Sequence, residues 1–104
     1  MKADRTQIIE TLRRLKPLLA KEGIEQLALF GSFAREEATP YSDVDIAFRR
    51  ESCYRKEQSA YDYFALIEKL KSDLRTSLHR NVDLFDLDSD SPFKGQIEKE
   101  LIYV

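Results

Sequence analysis

One cysteine, one histidine, three glycines and three prolines are all that the 104 residues hold of the types that announce disulfide frameworks, metal clusters or loop-rich chains. The lone Cys53 cannot close an internal disulfide and has no metal-ligand spacing around it, so it reads as a half-buried small side chain. No apolar run reaches the roughly 18 residues of a spanning helix, and no apolar signal segment opens the chain. A cytoplasmic protein without membrane contact is therefore expected. Charge of one sign is missing too: 17 basic against 19 acidic residues leave a formal charge of -2. No long-range field gathers nucleic acid, and any polyanion has to be held locally. There is no internal repeat and no low-complexity segment. A length of 104 residues implies one domain, 1–104, whose core buries roughly 60 to 68% of the unfolded surface.

What is present is apolar patterning. Asp4 and Gln7 have capping-box spacing, and Ile8, Leu12, Leu15 and Leu19 then repeat at helical intervals, with Pro17 expected to bend or interrupt the helix and Gly23 to end it. A strand is predicted over 25–30, a short helix from Gly31 or Ser32 through Arg35, a loop over 39–42 and a second strand over 43–49. A charged connection, 49–58, leads to the longest helix, 59–78, with Tyr63, Ile67, Leu70, Leu74 and Leu78 on one face. A third strand follows over 81–87. Ser91-Pro92 then reads as a helix start, with Phe93, Ile97 and Leu101 as the stripe of a last helix. The order predicts an α/β (α+β) fold: a small mixed sheet of three strands, or slightly more, with helices mainly on one face.

The chemistry gathers at two places. The run Leu27-Ala28-Leu29-Phe30 closes on Gly31-Ser32, and ten residues later Asp43-Val44-Asp45 opens Ile46-Ala47-Phe48. A strand ending in a small-residue turn offers backbone N–H groups to phosphate. Aspartates at i and i+2 on a strand face the same way, about 6.6 Å apart. Two negative charges at that distance repel by roughly 2.5 kcal/mol at an effective dielectric near 20. A divalent cation turns that repulsion into attraction, and magnesium suits one or two carboxylates plus substrate phosphates. Solvated aspartates capping the turn at Tyr41-Ser42 are the plainer alternative.

A third acid comes from Asn81-Val82-Asp83-Leu84-Phe85-Asp86. Asp83, framed by apolar neighbours near the strand's start, is the choice; Asp86, of opposite parity, is the alternative, and an edge-strand charge that discourages aggregation is the bland reading. Arg35 reads as a solvated surface residue. His79, beside Arg80 at the end of the long helix, suits the helix dipole. Tyr61 and Tyr63 read as packing.

Leu29-Phe30-Gly31-Ser32-Phe33-Ala34-Arg35, followed by Asp43-Val44-Asp45 and Asn81-Val82-Asp83-Leu84, resembles the nucleotidyltransferase domain of the DNA polymerase beta superfamily, and more narrowly the minimal nucleotidyltransferases (MNT) of prokaryotes. The resemblance spans nearly the whole chain. It implies nucleotidyl transfer from ATP with two Mg²⁺ ions, Asp43 and Asp45 as the metal-binding pair, Asp83 as the third acid, and Gly31 with Ser32 as the triphosphate-binding turn. One departure is visible: relatives often have glycine where Glu36 stands. Glutamate adopts positive φ less cheaply, so either the short helix runs longer or the loop is strained.

Larger relatives carry a further helical domain that helps bind base and acceptor. The resemblance therefore implies a hetero-oligomer in which a helical HEPN-type protein, encoded nearby, supplies the missing wall. In such pairs the small transferase acts as antitoxin, moving AMP to a hydroxyl of a ribonuclease toxin, a tyrosine for instance. Two alternatives stand beside this: a non-catalytic module that neutralises its partner by binding, and a subunit that modifies small-molecule hydroxyls.

Overall fold

The computed structural model describes residues 5–39, 41–51 and 60–104. The expected helix start at Asp4, Pro40, Cys53, most of the 49–58 connection and Ser59 lie outside the described residues. In chain order the elements are α1 (Arg5–Ala20), β1 (Ile24–Phe30), α2 (Gly31–Ala34), β2 (Val44–Arg50), α3 (Ala60–Leu78), β3 (Val82–Asp86), α4 (Lys94–Glu98) and β4 (Ile102–Tyr103). The strands form one mixed sheet in the order β3-β2-β1-β4. β1 is antiparallel to both β2 and β4. β2 and β3 are parallel, as a strand–helix–strand crossover through α3 requires.

Strand alternation gives the sheet two unlike faces. On one, Leu27, Leu29, Val44, Ile46, Phe48 and Val82 meet Ile8, Leu12 and Leu19 of α1 and Leu70, Leu74 and Leu78 of α3, all buried. Each such side chain contributes roughly 1.5–3 kcal/mol by leaving water, so this layer supplies most of the fold's stability. The other face is thinner: Ala28, Ala47 and Leu87 are buried under Phe30, Phe85 and Leu101. Phe30 and Phe85 meet edge to face at 6.2 Å. Helices thus do pack mainly on one face.

Two expectations need correction. α1 runs through Pro17 without interruption. Pro17 falls in the exposed last turn, and buried Leu19 beyond it anchors that turn to the core. The sheet has four strands, within the expected three or slightly more, because 102–103 pair with the open edge of β1 at Leu29 and Ala28. For the same reason the last helix does not reach Leu101. α4 covers only Lys94–Glu98, and Ser91 lies ahead of it, its Oγ accepting the Phe93 N–H at 3.2 Å. The 93–97–101 stripe matched a helix, but sheet hydrogen bonds to β1, including Val104 N–H to the Leu27 carbonyl at 3.1 Å, outcompete its continuation.

Candidate active site

The thin face of the sheet carries the acids. Phe30 pairs with Asp45, and Asp45 pairs with Asp83, so these three side chains form a row across β1, β2 and β3. Asp43 stands one residue before β2 and is exposed, as is Asp83, while Asp45 is half-buried. The loop that delivers Asp43 is held from both sides. The Val44 N–H donates to the Asn81 carbonyl at 2.9 Å, and Arg80 donates to the Ser42 carbonyl at 3.3 Å while lying over the Phe33 ring at 5.2 Å. Ser42 Oγ in turn accepts the Thr39 N–H at 2.8 Å.

Gly31 closes β1 with φ +76°, a conformation that side chains disfavour. Space is the harder limit. A Cβ there would lie 2.1 Å from Asp45 Oδ2 and 2.8 Å from its Cγ, so the Asp45 carboxyl rests directly against the turn. The residues predicted from sequence, Gly31, Ser32, Asp43, Asp45 and Asp83, are therefore gathered at one end of the sheet.

Burial pushes the Asp45 carboxyl above the usual carboxylate range, and the charges of Asp83 and Asp43 push it further; Arg35 pulls it back and Glu100 adds to the rise. The site carries an excess of negative potential, which a bound cation would relieve. Among the described residues no three Asp, Glu, His or Cys side chains form a ready-made metal cage. A cleft of about 350 Å³ opens beside the turn, between Gly31, Ser32, Arg35 and Asp45 on one wall and Phe93 and Glu100 on the other. A larger groove of about 1040 Å³ lies on the far side of Asp43, lined by Arg14, Tyr41, Arg75 and Arg80 among others. Of the three acids the groove is lined by Asp43 and the smaller cleft by Asp45, but the Gly31-Ser32 turn opens only on the smaller cleft.

Two further residues line this cleft, and of these Glu100 escaped sequence reasoning. Arg35, read as a solvated surface residue, points its Nη1 at both carboxylate oxygens of Glu100, each at 2.9 Å. Glu100 Oε2 also accepts the Gly31 N–H at 3.3 Å, so the donor expected to be free is engaged. The spacing of Arg35 just after the turn was the available signal; Glu100 had none, because it arrives from 65 residues away.

The alternative third acid, Asp86, lies elsewhere: it pairs with Phe48, accepts the Tyr63 hydroxyl at 3.1 Å and sits 3.7 Å from Arg50. Tyr63 is packing, as expected, and His79 is an exposed residue at φ +57° that ends α3. Glu36 takes φ +60°, so the strained loop is realised and α2 stops at Ala34.

Comparison with known proteins places this geometry. The family model described as polymerase beta, nucleotidyltransferase, matches residues 13–104. A proposed protein adenylyltransferase of Methanocaldococcus jannaschii is 38% identical over 102 residues, covering 95% of this chain and 96% of the relative. A second from that organism is 32% identical over 98 residues, covering 93% and 97%. Among solved structures, a protein described as a minimal nucleotidyltransferase superposes with a TM-score of 0.72 at 26% identity, covering 96% of this chain and 95% of that one. A chain of a toxin–antitoxin complex crystallised with AMP-PNP gives 0.59 at 25% identity, covering 97% and 72%. A chain of a complex between tri-AMPylated Shewanella oneidensis HEPN toxin and MNT antitoxin gives 0.51 at 24%, covering 95% and 66%, and bears on the fold alone.

Proposed function

The chain belongs to the polymerase beta nucleotidyltransferase family, and on that premise we propose that it transfers AMP from ATP to a hydroxyl of a partner protein, as the antitoxin of a HEPN-type ribonuclease toxin. The observation that carries this reading is the contact of the Asp45 carboxyl with the Gly31 turn, with Asp83 in register beside it. Phosphate and cation sites must adjoin for phosphoryl transfer, and here their candidate residues touch.

In this reading Asp43, Asp45 and Asp83 are the residues that would hold Mg²⁺, an ion suited to a few carboxylates together with substrate phosphates. Burial raises the Asp45 carboxyl most, and the added repulsion from Asp83 and Asp43 fits a cation seat. When bound, a pair of such ions supplies charge neutralisation at the attacking and leaving oxygens of an in-line displacement. The chain's own residues do the rest. Gly31 and Ser32 orient the triphosphate through N–H and hydroxyl donors, and Arg35 extends that donor set toward the leaving end. The partner's hydroxyl oxygen bonds to the α-phosphorus, the bond to the β-phosphate oxygen breaks, and pyrophosphate leaves. Asp83 is the carboxylate proposed to receive the hydroxyl proton.

The partner assignment draws support from the relatives named as protein adenylyltransferases and from the toxin–antitoxin complex crystallised with AMP-PNP. Its test is direct. The chain is mixed with ATP labelled at the α-phosphate, magnesium and the helical protein encoded beside it, and label is expected on the partner. Labelling that survives Asp43→Asn with Asp45→Asn overturns the assignment.

A further inference from the structure

The cleft beside Asp45 already holds an anion, and it belongs to the protein. Glu100, in the turn between α4 and β4, places both carboxylate oxygens on Arg35 Nη1 at 2.9 Å and accepts the Gly31 N–H at Oε2, 3.3 Å away. Its side chain is 25% exposed, so it is held against the cleft wall rather than solvated. Glu37 steadies the same guanidinium, accepting from Arg35 Nε at 3.2 Å. Nothing in the packing of the sheet asks for a carboxylate at this point: it adds negative charge beside Asp45, where three acids already repel. A guanidinium and a backbone N–H converging on one acceptor accommodate a carboxylate or a phosphate alike.

We propose that Glu100 is an internal competitor for the phosphate donors: it must leave Arg35 and Gly31 before the pyrophosphate end of a nucleotide settles there, and it returns as that end departs. The inference rests on the nucleotidyltransferase reading of the cleft and assigns Glu100 a positioning role exerted through Arg35. Because the displacement cost falls on any ligand that reaches Arg35, it weakens the triphosphate and the pyrophosphate product together. AMP, which lacks the outer phosphates, does not incur it. Glu100 thereby lowers resting occupancy by ATP and hastens release of pyrophosphate, which frees the site for the next turnover.

The experiment measures binding, by titration calorimetry in magnesium, of a non-hydrolysable ATP analogue, pyrophosphate and AMP to the full chain and to Glu100→Gln, with melting curves to verify the fold. Glu100→Gln is expected to tighten the analogue and pyrophosphate by roughly fivefold, the scale of a partly exposed ion pair, and to leave AMP unchanged. In an Arg35→Ala background the gain should vanish. A gain that persists without Arg35, or that extends equally to AMP, shows mere removal of charge and overturns the proposal; so does unaltered or weaker binding of the analogue. If the unmodified chain binds the analogue and only the tightening fails, the Glu100 inference falls alone. If neither analogue nor pyrophosphate binds any version, the nucleotidyltransferase reading of the cleft falls with it.

Discussion

Asp86, at one end of β3, accepts the Tyr63 hydroxyl, lies 3.7 Å from Arg50, and shares with Tyr63 a guanidinium stacked 4.4 Å over the ring. Asp83, three residues earlier on the same strand, faces Asp45 instead, and neither has an ion-pair partner among the described residues. One end of the strand spends its charge on the fold: the acid, the cation and the aromatic ring fasten α3 and β2 together. The other end leaves like charges adjacent, at a cost in stability that only a ligand offsets. Folds retain such local conflicts where a site needs them.

The largest expected effect comes from removing the conflict. Asp45→Asn should lower labelled-AMP transfer by at least about a thousandfold, the scale expected for loss of a proposed cation ligand. The same change should raise the melting temperature by a few degrees, because it deletes a repelled charge. The sign with pH follows from the raised Asp45 carboxyl. A group that holds its proton more tightly when folded favours folding at low pH, and that contribution is lost as pH rises through its folded value. Asp45→Asn should therefore flatten the decline in stability across the upper carboxylate range. A variant that melts lower than the parent would erase the contrast between the two ends of β3.

Gly31→Ala comes next. With φ +76° and a Cβ that would lie 2.1 Å from Asp45 Oδ2, the methyl group forces either the turn or the carboxyl away. A loss of about 3 kcal/mol is expected, from left-handed strain plus overpacking, accompanied by loss of transfer. Denaturant melts read the first and the labelling assay the second. Asp86→Ala supplies the converse. It removes the anion 3.7 Å from Arg50, the acceptor of the Tyr63 hydroxyl and the acceptor of the Asp88 N–H at 2.9 Å. About 2 kcal/mol of stability should go, while transfer per folded molecule stays at the parent level. If Asp86→Ala abolished transfer in folded protein, β3 would have no structural end and catalytic end to compare.

Much of this contrast was legible from sequence, for reasons that separate along the strand. β1, its Gly-Ser turn and β2 are contiguous, and their apolar runs and punctuation are local signals. The α3 stripe is equally local, and Leu70, Leu74 and Leu78 are buried along it. Choosing between Asp83 and Asp86 needed information that alternation alone does not hold, since the two have opposite parity. The parallel register supplies the missing placement: Asp45 lies opposite Asp83 and Phe48 opposite Asp86. β4 was out of reach: two residues carry no periodicity, and what makes them a strand is the vacant edge of β1. Glu100 was invisible for a related reason, because its meaning lies wholly in its partners Arg35 and Gly31.

The smallest expected effect concerns Glu36, which follows the turn and holds φ +60°. A non-glycine residue there costs about 1–2 kcal/mol. Against this, Glu36 pairs with Arg5 at 3.0 Å, but the side chains are 39% (Arg5) and 65% (Glu36) exposed, and such a pair is worth about 0–1 kcal/mol. Glycine also adds freedom to the unfolded chain, which takes back part of the gain. The balance favours Glu36→Gly by about 0.5–1 kcal/mol, a rise of a few degrees in the melting temperature. Labelled-AMP transfer should stay unchanged, because Glu36 lies past the donors of the turn and its ion pair reaches α1 rather than the acids. A melting temperature that fell would mean that the Arg5 pair outweighs the strain. A change in transfer would mean that the strain is transmitted to Gly31, and the site end of the sheet would then extend through α2 to Glu36.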